Sequence, residues 1–380
     1  MEIQKGIKPK VLMVLHFPPP VHGAAMVGEY IKKSNKLNTG LDLKFINLST
    51  SSKIDEIGKR GFGKWSRFLQ IIFETFKGIF RYKPDLVYIT LTTSGVGFYK
   101  DAVLALLVKL FGVKVIYHLH NKGVESNSDH FFNKLLYQLV FRKSKVILLS
   151  QKLFKDVEKF VKREQVFICP NGIPDIPYRS NIEKGNSILF LSNLIESKGV
   201  LVLLESCELL LKRNIEFTCN IVGGIGDITE NNLKRLIETK GLQKHVNYLG
   251  KKYGNDKKEI FESSKIFAFP TYYEKECFPL VLLEAMQYAL PIVTTSEGGI
   301  EDIVQDNHCG FIVPKKDSKA LADKLNILLE DSELAIKFGG KGREKYMDQF
   351  DLEKFELRLL QILRNTSQQE KIKQKIFEKV

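Results

Sequence analysis

Short runs rich in Val, Ile, Leu and Tyr alternate along this chain with longer helical patterns. That alternation admits little besides parallel sheets with crossover helices. In the first half the predicted strands are Lys10–Leu15, Lys44–Leu48, Leu86–Leu91, Val113–His120 and Lys145–Leu149. A shorter run, Phe167–Cys169, leads into the turn Pro170-Asn171-Gly172. The second series is Ser187–Ser192, Phe217–Val222, Val246–Leu249, Ile266–Phe269, Ile292–Thr294 and Gly310–Val313. Helices fit between them, among them Val200–Lys212, Glu230–Lys240 and Pro279–Tyr288. From Ser318 to Leu363 the pattern is helical throughout, with Asp317 or Ser318 as its cap.

A chain of 380 residues suits two domains better than one. The stretch Gly172–Asn186, with Pro174, Pro177 and Gly185 inside it, reads as the linker. The expected organisation is a first α/β domain over residues 1–178 and a second over 179–350. A helical segment over 351–380 is expected to pack back on the first. In open parallel sheets ligands sit beyond the carboxyl ends of the strands, so the loops there should carry the chemistry.

Bulk composition, 44% hydrophobic and 27% charged, is that of a soluble globular protein. No early stretch reads as a signal peptide. The longest apolar run, Ala102–Val113, contains Lys109 and is too short to span a bilayer. The cysteines, five and widely spaced, make no metal-like pair, so reduced thiols and a cytoplasmic location are expected. The net charge of +14 lies in residues 1–180, where Lys and Arg outnumber Asp and Glu about two to one. Such a field attracts a polyanion, an anionic membrane surface or a phosphorylated acceptor. A generally lysine-rich proteome would explain the total charge better than the asymmetry.

One segment stands out: Pro270-Thr-Tyr-Tyr-Glu-Lys-Glu276-Cys-Phe-Pro-Leu-Val-Leu-Leu-Glu284-Ala-Met. A strand ends at Pro270 and a helix is predicted to start near Pro279, where the missing N–H of proline costs nothing. The free N–H groups and positive dipole end of that helix suit a phosphate. Carboxylates on either side, Glu276 and Glu284, suit the hydroxyls of a nucleotide-sugar. The plain alternative is a capping acid and a surface acid. With Pro291-Ile-Val-Thr-Thr-Ser-Glu-Gly-Gly-Ile-Glu-Asp-Ile-Val and Gly310-Phe-Ile-Val added, the segment resembles the donor-binding half of family 4 retaining glycosyltransferases.

That resemblance covers nearly the whole chain and is most specific between residues 187 and 314. It implies the GT-B fold, an α/β fold of two Rossmann-like, doubly wound parallel-sheet domains facing across a cleft. It implies that Glu276 meets the transferred sugar near the reacting centre and that Glu284 binds ribose. Backbone groups of Cys277, Phe278, Pro279 and Leu280 would hold sugar hydroxyls and phosphate. Pro279 has no N–H to give, so any amide contact there must come from a neighbour. Lys198, in Asn193-Leu-Ile-Glu-Ser-Lys198-Gly199, matches a diphosphate-binding lysine. Asn193 stands where many members carry arginine, so a second cation is missing from that position. The loop Gly223-Gly224-Ile-Gly226 would border the nucleotide, although it is not a full dinucleotide fingerprint and a simple turn would look the same.

In the first half, Val115-Ile-Tyr-His118-Leu-His120 ends a strand, and alternation puts both imidazoles on one side. An imidazole there could bond a sugar hydroxyl or the departing phosphate; the resemblance implies a histidine at the end of this strand, which His120 fits better, and His118 is a candidate on the acceptor side. A purely structural pair remains open. Gly23, after His16-Phe-Pro-Pro-Pro-Val-His22, would let backbone approach the donor phosphate or the acceptor. Residues Phe62 to Tyr82 pattern as an amphipathic helix. Trp65, Phe68, Leu69, Ile72, Phe73, Phe76, Ile79 and Phe80 form its stripe, with Lys64 and Arg67 among the cations opposite. Such a helix could cover the next strand, lie on an anionic membrane, or do both in part.

The expectation is therefore a transferase using a nucleotide-sugar, most simply a UDP-sugar, and a sugar or lipid-linked sugar acceptor. No Asp-x-Asp sits at a strand–loop junction, so no metal and no cofactor are called for. No nucleic-acid motif is present. The rivals are a nucleotide-sugar epimerase or hydrolase on the same fold, and a non-catalytic basic protein binding membrane or nucleic acid. The first would consume donor without acceptor, and the second would show steep salt dependence and no donor affinity.

Overall fold

The structure, a computed structural model, describes residues 8–50, 62–177 and 184–377; the side chains of 62–64 and 369–377 lie outside the description. The chain divides into two compact units, residues 1–173 with 352–380, and residues 174–351.

The first unit holds β1 (Lys10–Leu15), β2 (Asp42–Asn47), β3 (Leu86–Thr90), β4 (Val115–His118), β5 (Lys145–Leu148) and β6 (Val166–Ile168). Their order is β2-β1-β3-β4-β5-β6, and every pairing is parallel. The central strands run as near-continuous apolar segments because helices cover both faces, while the edge strand β2 exposes Asp42 and Lys44. All five residues of β3 are buried. The chain order reverses between β1 and β3, which makes their carboxyl ends the switch point where ligands collect.

The second unit holds β7 (Ser187–Leu191), β8 (Thr218–Val222), β9 (Val246–Tyr248), β10 (Ile266–Phe269), β11 (Ile292–Thr295) and β12 (Gly310–Val313). Their order, β9-β8-β7-β10-β11-β12, is the doubly wound arrangement of dinucleotide-binding sheets. Its switch point lies between β7 and β10. Short loops keep that edge sharp: Leu194 N–H donates to Gly224 O at 2.7 Å, tying the loop after β7 to the loop after β8.

The division falls at 173/174 and 351/352, where the sequence reading placed it at 178/179 and 350/351. The residues after Ile173 are already anchored in the second unit. Pro174 O accepts from the Gln287 amide, and Asp175 takes both arms of Arg343 at 2.6 and 3.0 Å. The two chain crossings lie side by side, with Leu352 N–H donating to Ile173 O at 2.9 Å.

The C-terminal helical pattern is broken rather than continuous. Helix Ser318–Glu330, capped by Asp317, ends at Asp331, which caps helix Ser332–Lys345 in turn. A wide turn at Tyr346–Phe350 precedes the final helix, Leu352–Phe377. That last helix packs on the first unit. Phe355, Leu359 and Leu363 are fully buried, and the Arg364 guanidinium donates to Gly40 O at 3.1 and 3.3 Å.

Helix Phe62–Tyr82 splits its apolar stripe. Phe68, Ile71 and Ile79 are buried, while Trp65, Leu69, Phe73 and Phe80 are 60–68% exposed. The apolar arc is wider than the contact it makes with the sheet. Lys64 lies outside the described side chains; Arg67 is half-buried, 3.9 Å from Glu74. Among the described residues no helix is long and apolar enough to cross a membrane. All five cysteines are buried free thiols.

Candidate active site

Two strands flank the switch point of the second unit, and each is followed by a charged side chain aimed at the other. After β7 the chain makes a tight turn, Glu196–Lys198, closed by Gly199 in the left-handed region at φ +92°. A side chain at Gly199 would meet Pro270 O at 2.1 Å, so only glycine lets this turn press against the end of β10. The Ser197 carbonyl accepts from Tyr272 N–H at 2.7 Å and fixes the two loops together. Lys198 Nζ then lies 2.5 Å from Glu276 Oε2, over the face of Tyr273 at 4.5 Å. Glu276 is only 8% exposed, and Lys198 is its charge partner. A buried ion pair adds little net stability, but a carboxylate left alone in this place would be costly. The pair thus holds one cation and one anion ready at a strand end.

Helix Leu280–Gln287 starts one residue later than the sequence suggests. Pro279 is the cap, extended at φ −69° and ψ 118°, and not the first helical residue. Cys277 and Phe278 turn their side chains inward at 4% and 5% exposure. Phe278 packs edge-on against Phe350 at 5.7 Å. Their burial fixes the strand-to-helix connection against the core of the second unit. Among the described residues the N–H groups of Phe278 and Leu280 take no partner. They are the donors that Pro279 cannot supply.

Glu284 is not beside Glu276. It sits in the second turn of the helix, with Oε1 2.7 Å from Lys257 Nζ. Its other oxygen, Oε2, is buried without a partner. An orphaned buried carboxylate oxygen is an acceptor waiting for a hydroxyl. Lys257, on helix Gly254–Ser263, was not foreseen, and neither was Tyr273. A surface lysine 27 residues away carries no signal in the sequence.

Asn193 takes a structural part in the turn. Its Oδ1 accepts the Gly224 N–H at 3.2 Å, so it stitches the loops after β7 and β8. Gly223 stands against Ser192 O, where a Cβ would be 1.7 Å away. These residues, with Lys198, Glu276, Glu284 and 277–280, all belong to the second unit.

The first unit gathers imidazoles at the carboxyl ends of β1 and β4. His118 is fully buried, and its Nδ1 is 2.6 Å from the Tyr88 hydroxyl on β3. Its ring centroid is 4.2 Å from that of His120, and of the two only His120 keeps some exposure. Both rings resist protonation: burial and the neighbouring imidazole lower His118 well below 6.5, and burial with His22 lowers His120 to about 3. His16 stands 5.6 Å from His22 and is lowered to about 3 by burial, then by His22, His120 and Lys100. His22 caps helix Gly23–Lys33 by accepting the Ala25 N–H at 3.4 Å. Gly23, grouped with the donor loops by resemblance, lies in this unit with open space around it. Among the described residues no cluster of His, Cys, Asp or Glu has the arrangement of a metal site.

Comparison with known proteins agrees with this layout. Residues 173–345 match the family described as glycosyl transferases group 1. The chain is 28% identical over 255 residues to the putative colanic acid biosynthesis glycosyltransferase WcaL of Escherichia coli, covering 63% of this chain and 61% of that one. It is 27% identical over 196 residues to an alpha-1,4-N-acetyl-D-galactosaminyltransferase of Campylobacter jejuni whose name includes an undecaprenol-linked glycan, covering 50% and 52%. The matches thus span about half to three fifths of these relatives. Among solved structures, HepE of Anabaena in complex with UDP superposes at a TM-score of 0.72 with 17% identity, covering 94% of this chain and all of that one. That likeness establishes the fold, GT-B. Residues 173–345, a little under half of the chain, are thus similar to the glycosyl transferases of group 1.

Proposed function

We propose that the chain transfers a sugar from a nucleoside diphosphate sugar, most simply a UDP-sugar, to an acceptor in bacterial surface polysaccharide or glycolipid synthesis. The observation that carries this reading is the Lys198–Glu276 pair at the switch point of the second sheet, with unpartnered N–H groups at the adjoining helix start. The diphosphate is seated by Lys198 and those N–H groups, which take up the charge that grows on it as the sugar leaves. Glu276 accepts from hydroxyls of the transferred sugar. Glu284 Oε2 accepts from the ribose. His120, kept neutral by burial, presents an uncharged imidazole to a sugar hydroxyl. Departure of the diphosphate needs no divalent ion on this reading, and the sugar keeps its anomeric configuration.

Acceptor binding falls to the basic first unit. The exposed Trp65, Leu69, Phe73 and Phe80, next to Arg67, Lys77 and Arg81, suit an anionic membrane surface carrying a lipid-linked acceptor. On this reading the enzyme works at the inner face of the plasma membrane. Relatives named for colanic acid biosynthesis and for an undecaprenol-linked glycan favour the same class.

A panel of nucleotide-sugars in a thermal-shift assay tests the donor. At a hundredfold excess over its dissociation constant the true donor stabilises the fold by about 2.7 kcal/mol. A panel of UDP-, GDP-, ADP- and dTDP-sugars with no shift at all would refute the reading. Pelleting with anionic vesicles tests the membrane part, and protein that stays in the supernatant at low salt would refute it.

A further inference from the structure

Three charge pairs at the strand ends of the second unit cancel internally. Lys198 is held by Glu276 at 2.5 Å, Lys257 by Glu284 at 2.7 Å and Lys315 by Glu297 at 2.5 Å. A nucleoside diphosphate brings at least two negative charges, and pairs that already cancel offer it little net attraction. Asn193, in the turn that leads to Lys198, is neutral, and its carbonyl oxygen is occupied by the Gly224 N–H.

Among the lysines at these strand ends without an ion-pair partner in the described residues, one is set apart by what it lies against. Lys251 follows β9, is exposed, and has no hydrogen-bond or ion-pair partner among the described residues. It lies back across the loop after β8, where a Cβ on Gly224 would be 2.3 Å from Lys251 Cε, 3.2 Å from its Nζ and 3.0 Å from Asn193 Oδ1. Gly224 is not in the left-handed region, so its backbone conformation does not require glycine. The bare backbone at Gly224 leaves room there for the lysine arm beside Asn193.

We infer that Lys251 is the second cation of the donor site, brought from β9 across the glycine loop to the diphosphate, where it supplies the charge that Asn193 lacks. This rests on the donor reading above and extends it to a residue outside the Lys198 turn. An ammonium on a flexible stem suits the task, since it acts on phosphate as a point charge and needs no fixed fork geometry.

Titration calorimetry with UDP, and ligand-observed NMR with uridine, test the inference on the full chain. Lys251→Met should weaken UDP about tenfold, the effect of a charge-assisted contact worth one decade in affinity. Uridine binding should not change, and Lys251→Arg should keep most of the UDP affinity. The gap between Lys251→Met and the natural protein should narrow in high salt, because an exposed charge is screened. Lys252→Ala, which removes a neighbouring cation paired with Asp256 at 3.4 Å, should leave UDP binding as it was. Should Lys251→Met fail to fold, Lys251→Gln keeps the length and polarity of the arm and serves in its place. UDP binding unchanged in the variant overturns the inference while the donor reading stands. Equal losses for UDP and uridine also overturn it, placing Lys251 on the base or ribose. A natural protein that binds none of UDP, GDP and ADP defeats the donor reading, and the inference with it.

Discussion

Gly199→Ala isolates the contact that brings Lys198 to Glu276. Two costs add at this position. At φ +92° an alanine enters the left-handed region, at about 1–2 kcal/mol. Its Cβ would also stand 2.1 Å from Pro270 O and 2.6 Å from Pro270 C, against the 3.0 Å that real Cβ contacts respect. Both obstacles are backbone at the end of a buried strand, so no flexible side chain can move aside. Forcing about an ångström of separation there costs about 1–3 kcal/mol, as other overpacked sites do. The total is about 2–5 kcal/mol, a large share of a typical domain's stability. Gly241→Ala is the matched control: φ is +68°, but nothing lies within 4 Å of the new Cβ. Urea unfolding followed by circular dichroism should show Gly199→Ala losing about 1–3 kcal/mol more than Gly241→Ala. The same variant should bind UDP more weakly, because the turn moves away from the end of β10. Equal costs at the two glycines would refute the close approach, and with it the account of how the turn positions Lys198.

Other outcomes follow from the same geometry. Glu284→Ala should weaken UDP about tenfold and leave 2′,3′-dideoxy-UDP unaffected, because the orphaned Oε2 is assigned to ribose hydroxyls; equal losses by calorimetry would remove that assignment. The first unit should lose stability on acidification. His16 and His120, lowered to about 3, stay neutral when folded while the unfolded chain takes up protons below about 6.5, so stability is present above that pH and is lost as pH falls toward 3. With a discount for rings that still meet solvent, each contributes about 1 kcal/mol of loss at pH 5. Asp101, raised by burial to about 6, works in the opposite sense and offsets about 1 kcal/mol between pH 7 and 5. His118 adds to the loss. Thermal melts of His120→Gln should therefore fall less steeply from pH 7 to 5 than those of the natural chain, and parallel curves would contradict the reading. Leu359→Ala should cost about 2–5 kcal/mol by leaving a cavity under the final helix. A cost under about 1 kcal/mol in denaturant unfolding would mean that the helix is not docked as described.

The strand positions were legible because parallel strands covered on both faces must be apolar along their whole length. β1, β10 and β12 begin and end where the residue pattern says, and most others differ by one or two residues at loop edges. The pairing of Lys198 with Glu276 joins residues 78 apart, and only the likeness to a known family suggested it. Spacing alone could not have done so, since lysines in a chain this basic look alike. The same indifference hid Lys257 and Lys251, whose meaning comes from what they lie against. His118 and His120 were read correctly as neighbours, but their depth was not readable. A fully buried imidazole bonded to Tyr88 and a half-buried one have the same local sequence. The unit boundary moved to 173/174 because Asp175 and Pro174 are held by Arg343 and Gln287, contacts that no local composition reveals. The amphipathic helix misled in another way. Its period told which residues share a face, and not how much of that face the sheet would cover.

Glu276 offers the most direct test, since its position beside Lys198 at the switch point is the core of the proposal. Sugar transfer and donor affinity should be measured side by side in Glu276→Ala, using the donor found by thermal shift. Transfer should fall by orders of magnitude while the donor's dissociation constant moves by about tenfold or less. Transfer and affinity falling together would make Glu276 a binding residue only, and unimpaired transfer would remove it from the site.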